Sequence, residues 1–177
     1  MSKKLIILSI ICICYYASQA QIEVAKIIGK NSEKYGLGYS AFIKFSYPIT
    51  DADDISLEYG ATVFMEKGSS TRGLLYAPLK LGYRYTLNRT GRGFYVEPQL
   101  GFNTIGAYTT YDQGTNIDKK INGFVGGVTA GYLFQPLGNI NFDIGLRFET
   151  VKFEGGSANA ISLKLAHYFN IGRKREE

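Results

Sequence analysis

Cysteine is almost missing from this 177-residue chain, and the two present, Cys12 and Cys14, fall near its start. That start reads as an export signal. Lys3 and Lys4 precede an apolar run over residues 5–14, and Ser18 and Ala20 supply small residues before a cut, so the mature chain is expected to begin at Gln21. Without cysteine it can form no disulfide, thiolate metal site or cysteine nucleophile. Ile11 and Ile13 stand before the cysteines where a lipoprotein signal needs a small residue, which argues against a lipid anchor. Long apolar runs are also lacking. No later stretch approaches the ~18 residues a membrane helix requires, which excludes helical insertion. Nor is there a strong excess of charge: 20 basic residues face 15 acidic ones, and removing Lys3 and Lys4 leaves a balance too mild to argue for nucleic acid. Residues 1–20 are thus expected to be a signal peptide and residues 21–177 a single domain.

What remains is alternation with a period of two, interrupted by clusters of Gly, Asn, Asp and Ser. Antiparallel strands joined by hairpins read this way. In the clearest case Leu75, Ala77, Leu79, Leu81, Tyr83, Tyr85 and Leu87 share one face while Pro78, Lys80, Gly82, Arg84 and Thr86 share the other, because successive side chains on a strand point oppositely. Residues 55–65 and 140–149 divide in the same manner. Further strands read over 37–49, 94–106, 121–137 and 160–171, with a weaker one over 22–29, where Lys26 falls among apolar positions. The total is eight, the even number a closed single-chain barrel takes. Connections over 50–54, 88–93 and 136–139 are tight, whereas 107–120 is longer. Short turns belong to the periplasmic side of such barrels, and both termini go with them. Pro78 and Pro98 cannot donate ladder hydrogen bonds, so bulges or fraying are expected at both. Asn88-Arg89-Thr90 matches a glycosylation triplet but is explained by turn chemistry.

Alternation alone does not say which face is inside, and a soluble lipocalin-like barrel with an apolar interior competes. An eight-stranded lumen is just wide enough for side chains to fill or for one small ligand. The apolar face carries bulky residues at most positions and would crowd it. The polar face carries Gly38, Gly60, Gly82, Gly101, Gly127, Gly131 and Gly145 among its charges, leaving room for long Lys, Arg and Glu chains. The polar face is therefore expected inside and the apolar face against lipid. Strand ends on the tight-turn side also carry outward aromatic pairs, Phe45 and Tyr47, Tyr83 and Tyr85, Tyr132 and Phe134, His167 and Phe169, as an interfacial girdle would.

The export signal, these strands, the segments Ile55-Ser56-Leu57-Glu58-Tyr59-Gly60 and Ile140-Asn141-Phe142-Asp143-Ile144-Gly145, and the close Leu165-Ala166-His167-Tyr168-Phe169 resemble the small outer-membrane barrels of the OmpA-type transmembrane domain and the OmpX-like proteins. The resemblance spans nearly the whole mature chain. It implies an all-β, eight-stranded, up-and-down transmembrane barrel in the outer membrane of a Gram-negative bacterium. Membrane lipid, lipopolysaccharide and the barrel-assembly machinery are its implied partners, with no cofactor. The tail over 172–177 runs past the aromatic that more often ends such chains, and no peptidoglycan-binding domain is expected to follow.

Three constellations could carry chemistry. Glu23, Glu58, Glu97 and Asp143 on outward-running strands face Lys44, Lys80, Arg84 and Lys164 on returning ones, with Arg147 and Glu149 on the same polar face. They read as an ion-pair network in a closed lumen, since a buried charge must be paired; a gated ion path is the alternative. A few barrels of the resembling kind modify lipid A with a histidine-centred site, but His167 is the lone histidine and Ser162 faces the other side of its strand, so general-base catalysis lacks partners and no enzyme or metal site is expected. The 107–120 loop, with Tyr108, Tyr111, Asp112, Asp118, Lys119 and Lys120, could bind a host or surface ligand. Arg72, Lys119, Lys120 and Lys152 could pair with lipopolysaccharide phosphates. The role expected is envelope integrity or surface interaction, with a narrow channel and a lipid A-modifying enzyme as alternatives.

Overall fold

The computed structural model describes residues 18–29, 32–69, 72–89, 91–110, 116–120, 123–137, 140–153 and 156–169. Nine strands run in chain order: β1 (Ser18–Ile28), β2 (Tyr35–Pro48), β3 (Asp53–Glu66), β4 (Arg72–Thr86), β5 (Gly93–Thr110), β6 (Asn116–Lys120), β7 (Phe124–Leu137), β8 (Ile140–Phe153) and β9 (Gly156–Phe169). All pairings are antiparallel, and β4–β5 closes the order β4-β3-β2-β1-β9-β8-β7-β5 into an eight-stranded barrel. β6 pairs with β5 alone.

Closure fixes the stagger of the strands. From Val24 one path of cross-strand partners runs through Tyr39, Val63 and Leu75 to Ala107 on β5. The opposite path runs through Leu163, Leu146 and Ala130 to Val96. The two meet β5 at different residues because tilted strands close a barrel only with accumulated shear. Part of the offset is a bulge, where Ala77 faces Ile105 but Pro78 faces Asn103. The extra Thr104 donates its hydroxyl to the Ala77 carbonyl at 2.8 Å. Pro78 thus sits at the expected irregularity. At Pro98 the irregularity is a gap and not a bulge: the β5–β7 register runs unbroken through Pro98 and Val128, while the β4–β5 pairing passes from Gly82–Gln99 to Tyr85–Val96 without a change of register. The proline side chain stands on the exposed face, and the ladder absorbs the lost donor without a bulge.

One rim gathers both barrel termini and the turns β2–β3, β4–β5 and β7–β8. Its turns are closed by local chemistry. Thr50 Oγ1 accepts the amides of Ala52 and Asp53 and donates to Asp53 Oδ2, and between β4 and β5 the backbone takes positive φ at Arg89, Gly91 and Gly93, conformations that suit glycine. The other rim carries the longer connections. There the segment expected to be a loop over 107–120 is instead a β-hairpin: β5 continues to Thr110, with Tyr108 paired to Leu74 on one side and Lys119 on the other. Tyr111 and Asp112 lie outside the described residues, and the strand expected from residue 121 starts at Phe124.

The alternating faces separate cleanly. Ile22, Ile43, Leu81, Leu100, Leu146 and Leu163 turn outward and are exposed, while Lys44, Glu58, Glu97, Asp143 and Lys164 turn inward and are 0% exposed. Of the expected signal, residues 1–17 lie outside the described residues, and β1 already pairs from Ser18. A cut after Ala20 would remove three residues of β1, including Gln19, whose buried amide donates to Asp143 at 3.1 Å.

Candidate functional site, the lumen

Ten charged side chains meet inside the barrel, five of each sign among the described residues: Lys44, Lys80, Arg84, Arg147 and Lys164 against Glu23, Glu58, Glu97, Asp143 and Glu149. The sequence placed these residues on one face; the structure arranges them as two ladders. Nearer the terminal rim runs Lys44–Glu97–Arg84–Asp143–Lys164, with successive separations of 2.5, 3.1, 3.1 and 2.7 Å. Above it runs Glu149–Lys80–Glu58–Arg147–Glu23, at 2.7, 2.8, 2.8 and 2.8 Å. The lower ladder holds three cations and two anions, the upper the reverse, so each carries one unit of charge and the lumen is neutral. Every member has an opposite partner, which burial of a charge demands.

One glutamine joins the two ladders and another braces the upper one. Gln99 on β5 donates to Glu97 at 3.1 Å and to Glu58 at 3.3 Å, and Gln21 on β1 donates to Glu23 at 2.7 Å and to the same Glu58 oxygen at 3.3 Å. Hydroxyls take up further acceptor capacity: Ser56 donates to Glu97, Ser162 to Glu23 and Tyr76 to Glu149. Tyr95 donates to Asp143 at 2.6 Å and accepts from Lys164 at 2.9 Å, and Arg84 also donates to the Tyr168 hydroxyl.

Lumenal aromatic rings complete the packing. The Tyr95 ring lies 4.0 Å from the Arg84 guanidinium, and the Phe42 ring lies 4.4 Å from the Lys80 ammonium and 5.4 Å from Arg147. These are cation–π contacts in a desolvated site. The glycines serve the rings as much as the charges. Phe42 is paired with Gly60, Phe64 with Gly38, and Tyr95 with Gly131; a methyl group at these three glycines would come within 2.4 to 2.5 Å of the ring or hydroxyl. Each ring lies across the strand where a neighbour has no side chain.

Above the upper ladder the chemistry changes. Ala25, Ile27, Tyr35, Phe64, Leu74, Tyr76, Val125, Val151 and Ala160 form a contiguous buried apolar cluster drawn from the hairpin-side ends of seven strands. Phe64 and Tyr76 stack there at 6.4 Å. This plug was not foreseen, because at Phe64 and Leu74 apolar residues occupy both faces and alternation carries no signal.

Outside, Tyr47, Tyr83 and Tyr85 are exposed at the terminal rim, and Phe45 and Tyr132 are half-buried. Phe94 and Phe142 extend the set, with ring pairs Phe94–Tyr132 at 4.8 Å, Tyr132–Phe134 at 4.4 Å and Phe142–His167 at 5.4 Å. Phe169 closes β9. His167 therefore lies on the outer wall while Ser162 is buried in the lumen, bonded to Glu23 at 2.6 Å. The two are on opposite faces of β9.

No family model matches the chain, and no curated protein does. Solved structures do. Neisserial surface protein A is 16% identical over 88% of this chain and 97% of its own, with a TM-score of 0.69. Ail, the attachment invasion locus protein of Yersinia pestis, is 15% identical over 87% of this chain and 99% of its own, at 0.54. The outer-membrane enzyme PagL is 16% identical over 84% and 97%, at 0.51. The chain has the fold of the small outer-membrane β-barrels.

Proposed function

We propose that this chain is a closed outer-membrane barrel that strengthens the envelope and presents its outer rim, the β5–β6 hairpin above all, to the surroundings. The observation that carries the reading is the filling of the lumen. Two mutually neutralising ladders and an apolar plug occupy it in series, so an ion would have to break paired charges and then cross a dry segment. The outward band of Leu, Ile, Phe and Tyr calls for lipid as its solvent, because no soluble monomer leaves so continuous an apolar surface in water. Strand crossings satisfy the backbone within the barrel, as a membrane requires. Short turns at the terminal rim support a periplasmic position for it.

The likeness to proteins named for surface location and attachment supports a role at the cell exterior, and the likeness to PagL brings no catalytic constellation with it, since His167 and Ser162 do not meet. Planar-bilayer recording tests the reading. Purified protein should give no steady conductance; a large, stable current that disappears in Glu97→Ala would replace the closed barrel with a channel. In cells, deletion should raise sensitivity to bile and antibiotics or lower adhesion, and a deletion strain unchanged in all three would remove the proposed role.

A further inference from the structure

The outward face holds an interruption that the lumen does not explain. Among the described residues of the eight barrel strands that alternate outward, the charged side chains are Lys26 on β1, Lys152 on β8 and Asp53 where β3 opens at the terminal rim. Lys26 is set among exposed apolar neighbours, Leu37 and Ile161 being its cross-strand partners. Neither lysine is paired with a carboxylate among the described residues, whereas each of the five lumenal cations is. An unpaired ammonium on a lipid-facing wall is costly unless it reaches the interface or an anion.

The polar residues around them are not scattered. β9 runs between β1 and β8, and its outward positions at this end are Ser157 and Asn159 instead of the Leu and Ile found lower down. Thr150 on β8 donates its hydroxyl to Asn159 Oδ1 at 2.9 Å, which leaves the Asn159 amide nitrogen to donate outward. Lys152 pairs in register with Ser157. By register Lys26 lines up with Ile161 and then Phe148, four positions from Lys152. The shear shortens that gap: the row of partners starting at Val24 reaches Val96 by this route and Ala107 by the other, so it descends by roughly one residue at each strand crossed toward β8. Two crossings bring Lys26 level with the stretch just below Lys152. The two ammonium groups therefore stand at similar height, separated by two interstrand spacings of about 4.8 Å each before tilt is added, with the Thr150–Asn159 pair between them.

We infer that the sector β8–β9–β1 is a binding site for a lipid headgroup carrying two phosphates on a rigid frame, the chemistry of lipopolysaccharide's anchor. Lys26 and Lys152 each take one phosphate, Asn159 and Ser157 offer hydrogen bonds to the sugar between them, and Ile161, Leu163 and Val24 below receive the acyl chains. On β2, β3 and β4 the same level is apolar, with Tyr39, Val63 and Leu75 aligned in register, so those three strands offer no comparable pair of cations. The inference rests on the orientation proposed above, which puts this rim in the outer leaflet.

Native mass spectrometry of the mature barrel in detergent, titrated with diphosphoryl lipid A, monophosphoryl lipid A or phosphatidylethanolamine, tests it. Diphosphoryl lipid A should be retained preferentially, at one molecule per barrel. A lysine beside anionic headgroups contributes enough that Lys26→Gln or Lys152→Gln should each weaken retention about five-fold and the double variant about twenty-five-fold. Lys67→Gln, at the β3–β4 turn, should leave it unchanged. Equal retention by the double variant, or equal retention of all three lipids, overturns the site, provided heat-modifiable gel mobility shows the variants folded. Orientation is read separately. Ser157→Cys, probed in intact cells with a membrane-impermeant maleimide, should label; if it does not while lipid retention follows the pattern above, the orientation falls and the site stands.

Discussion

The lumen closes itself twice, by opposite chemistries. In the part nearer the termini, charge is neutralised by charge across two five-member ladders; in the part nearer the hairpin rim, Phe64, Tyr76, Ile27 and their neighbours exclude water without a charged group. The ionic region depends on the register of many strands at once, because Glu58 on β3 reaches Arg147 on β8 and Lys80 on β4. The apolar region needs only volume. Geometry is therefore specified by the ladders, while the plug contributes non-directional burial that tolerates rearrangement.

The sharpest way to break this contrast is to remove a central ladder member. Glu58 touches Lys80 and Arg147 and accepts from both bridging glutamines. Glu58→Ala leaves two cations facing each other without their shared anion, a loss of about 3–5 kcal/mol for a broken buried pair. Urea unfolding in detergent micelles, followed by loss of β-sheet circular dichroism, should show it. A midpoint within error of wild type would mean that water already screens the ladder.

Phe64→Ala in the plug should cost about 3 kcal/mol, at the low end of large-to-small aromatic losses, because Gly38 beneath the ring leaves the cavity free to collapse. The distinguishing readout is conductance. The ladders still seal the lumen, so the variant should remain silent in a planar bilayer, and a steady current would show that the plug is the true seal.

These two regions were unequally legible in the sequence, for a physical reason. Lys80 and Arg84 could be assigned to the lumen because their neighbours Leu79, Leu81, Tyr83 and Tyr85 differ from them in kind. Alternation reads a contrast between solvents. Where the lumen itself is apolar the contrast vanishes: Val63, Phe64 and Met65, or Leu74, Leu75 and Tyr76, read alike whichever way they point. Lys26 weakens the first strand only if the outer wall is uniformly greasy; β1 begins earlier, at Ser18, and pairs with β9 along its whole length and with β2 as far as Lys26. The β5–β6 hairpin did leave a signal, since Ile105, Tyr108, Thr109 and Thr110 are strong strand formers, but the mixed charge beyond them suggested a loop. What no single-strand pattern could give is the pairing of the ladders, which depends on shear and on side chains reaching across the lumen.

The imbalance of each ladder offers a subtler test. Lys44→Met leaves the lower ladder with two ions of each sign, and Glu149→Gln does the same for the upper, so the double variant restores overall neutrality that either single change destroys. Its cost should fall short of the sum of the two by about 1 kcal/mol, within the range found for coupled sites. Additivity would mean that the ladders do not feel each other's charge and that Gln99 links them only sterically.

The smallest effect should come from two glycines on the same strand. A methyl group at Gly131 would lie 2.5 Å from the Tyr95 hydroxyl and 2.8 Å from the Ile144 carbonyl oxygen, whereas at Gly126 it would meet only Leu100 Cδ2, at 3.3 Å. Leu100 is exposed on the outer wall, so its chain end can rotate away at little cost, while the alanine removes backbone freedom from the unfolded chain. Gly126→Ala should therefore stabilise the barrel by about 0.5 kcal/mol, and Gly131→Ala should destabilise it by shifting the ring that serves Asp143 and Lys164. Urea midpoints measured side by side decide the matter. If both substitutions destabilise, the tight fit attributed to the lumen extends to the wall, and the division between a packed interior and an accommodating lipid face fails.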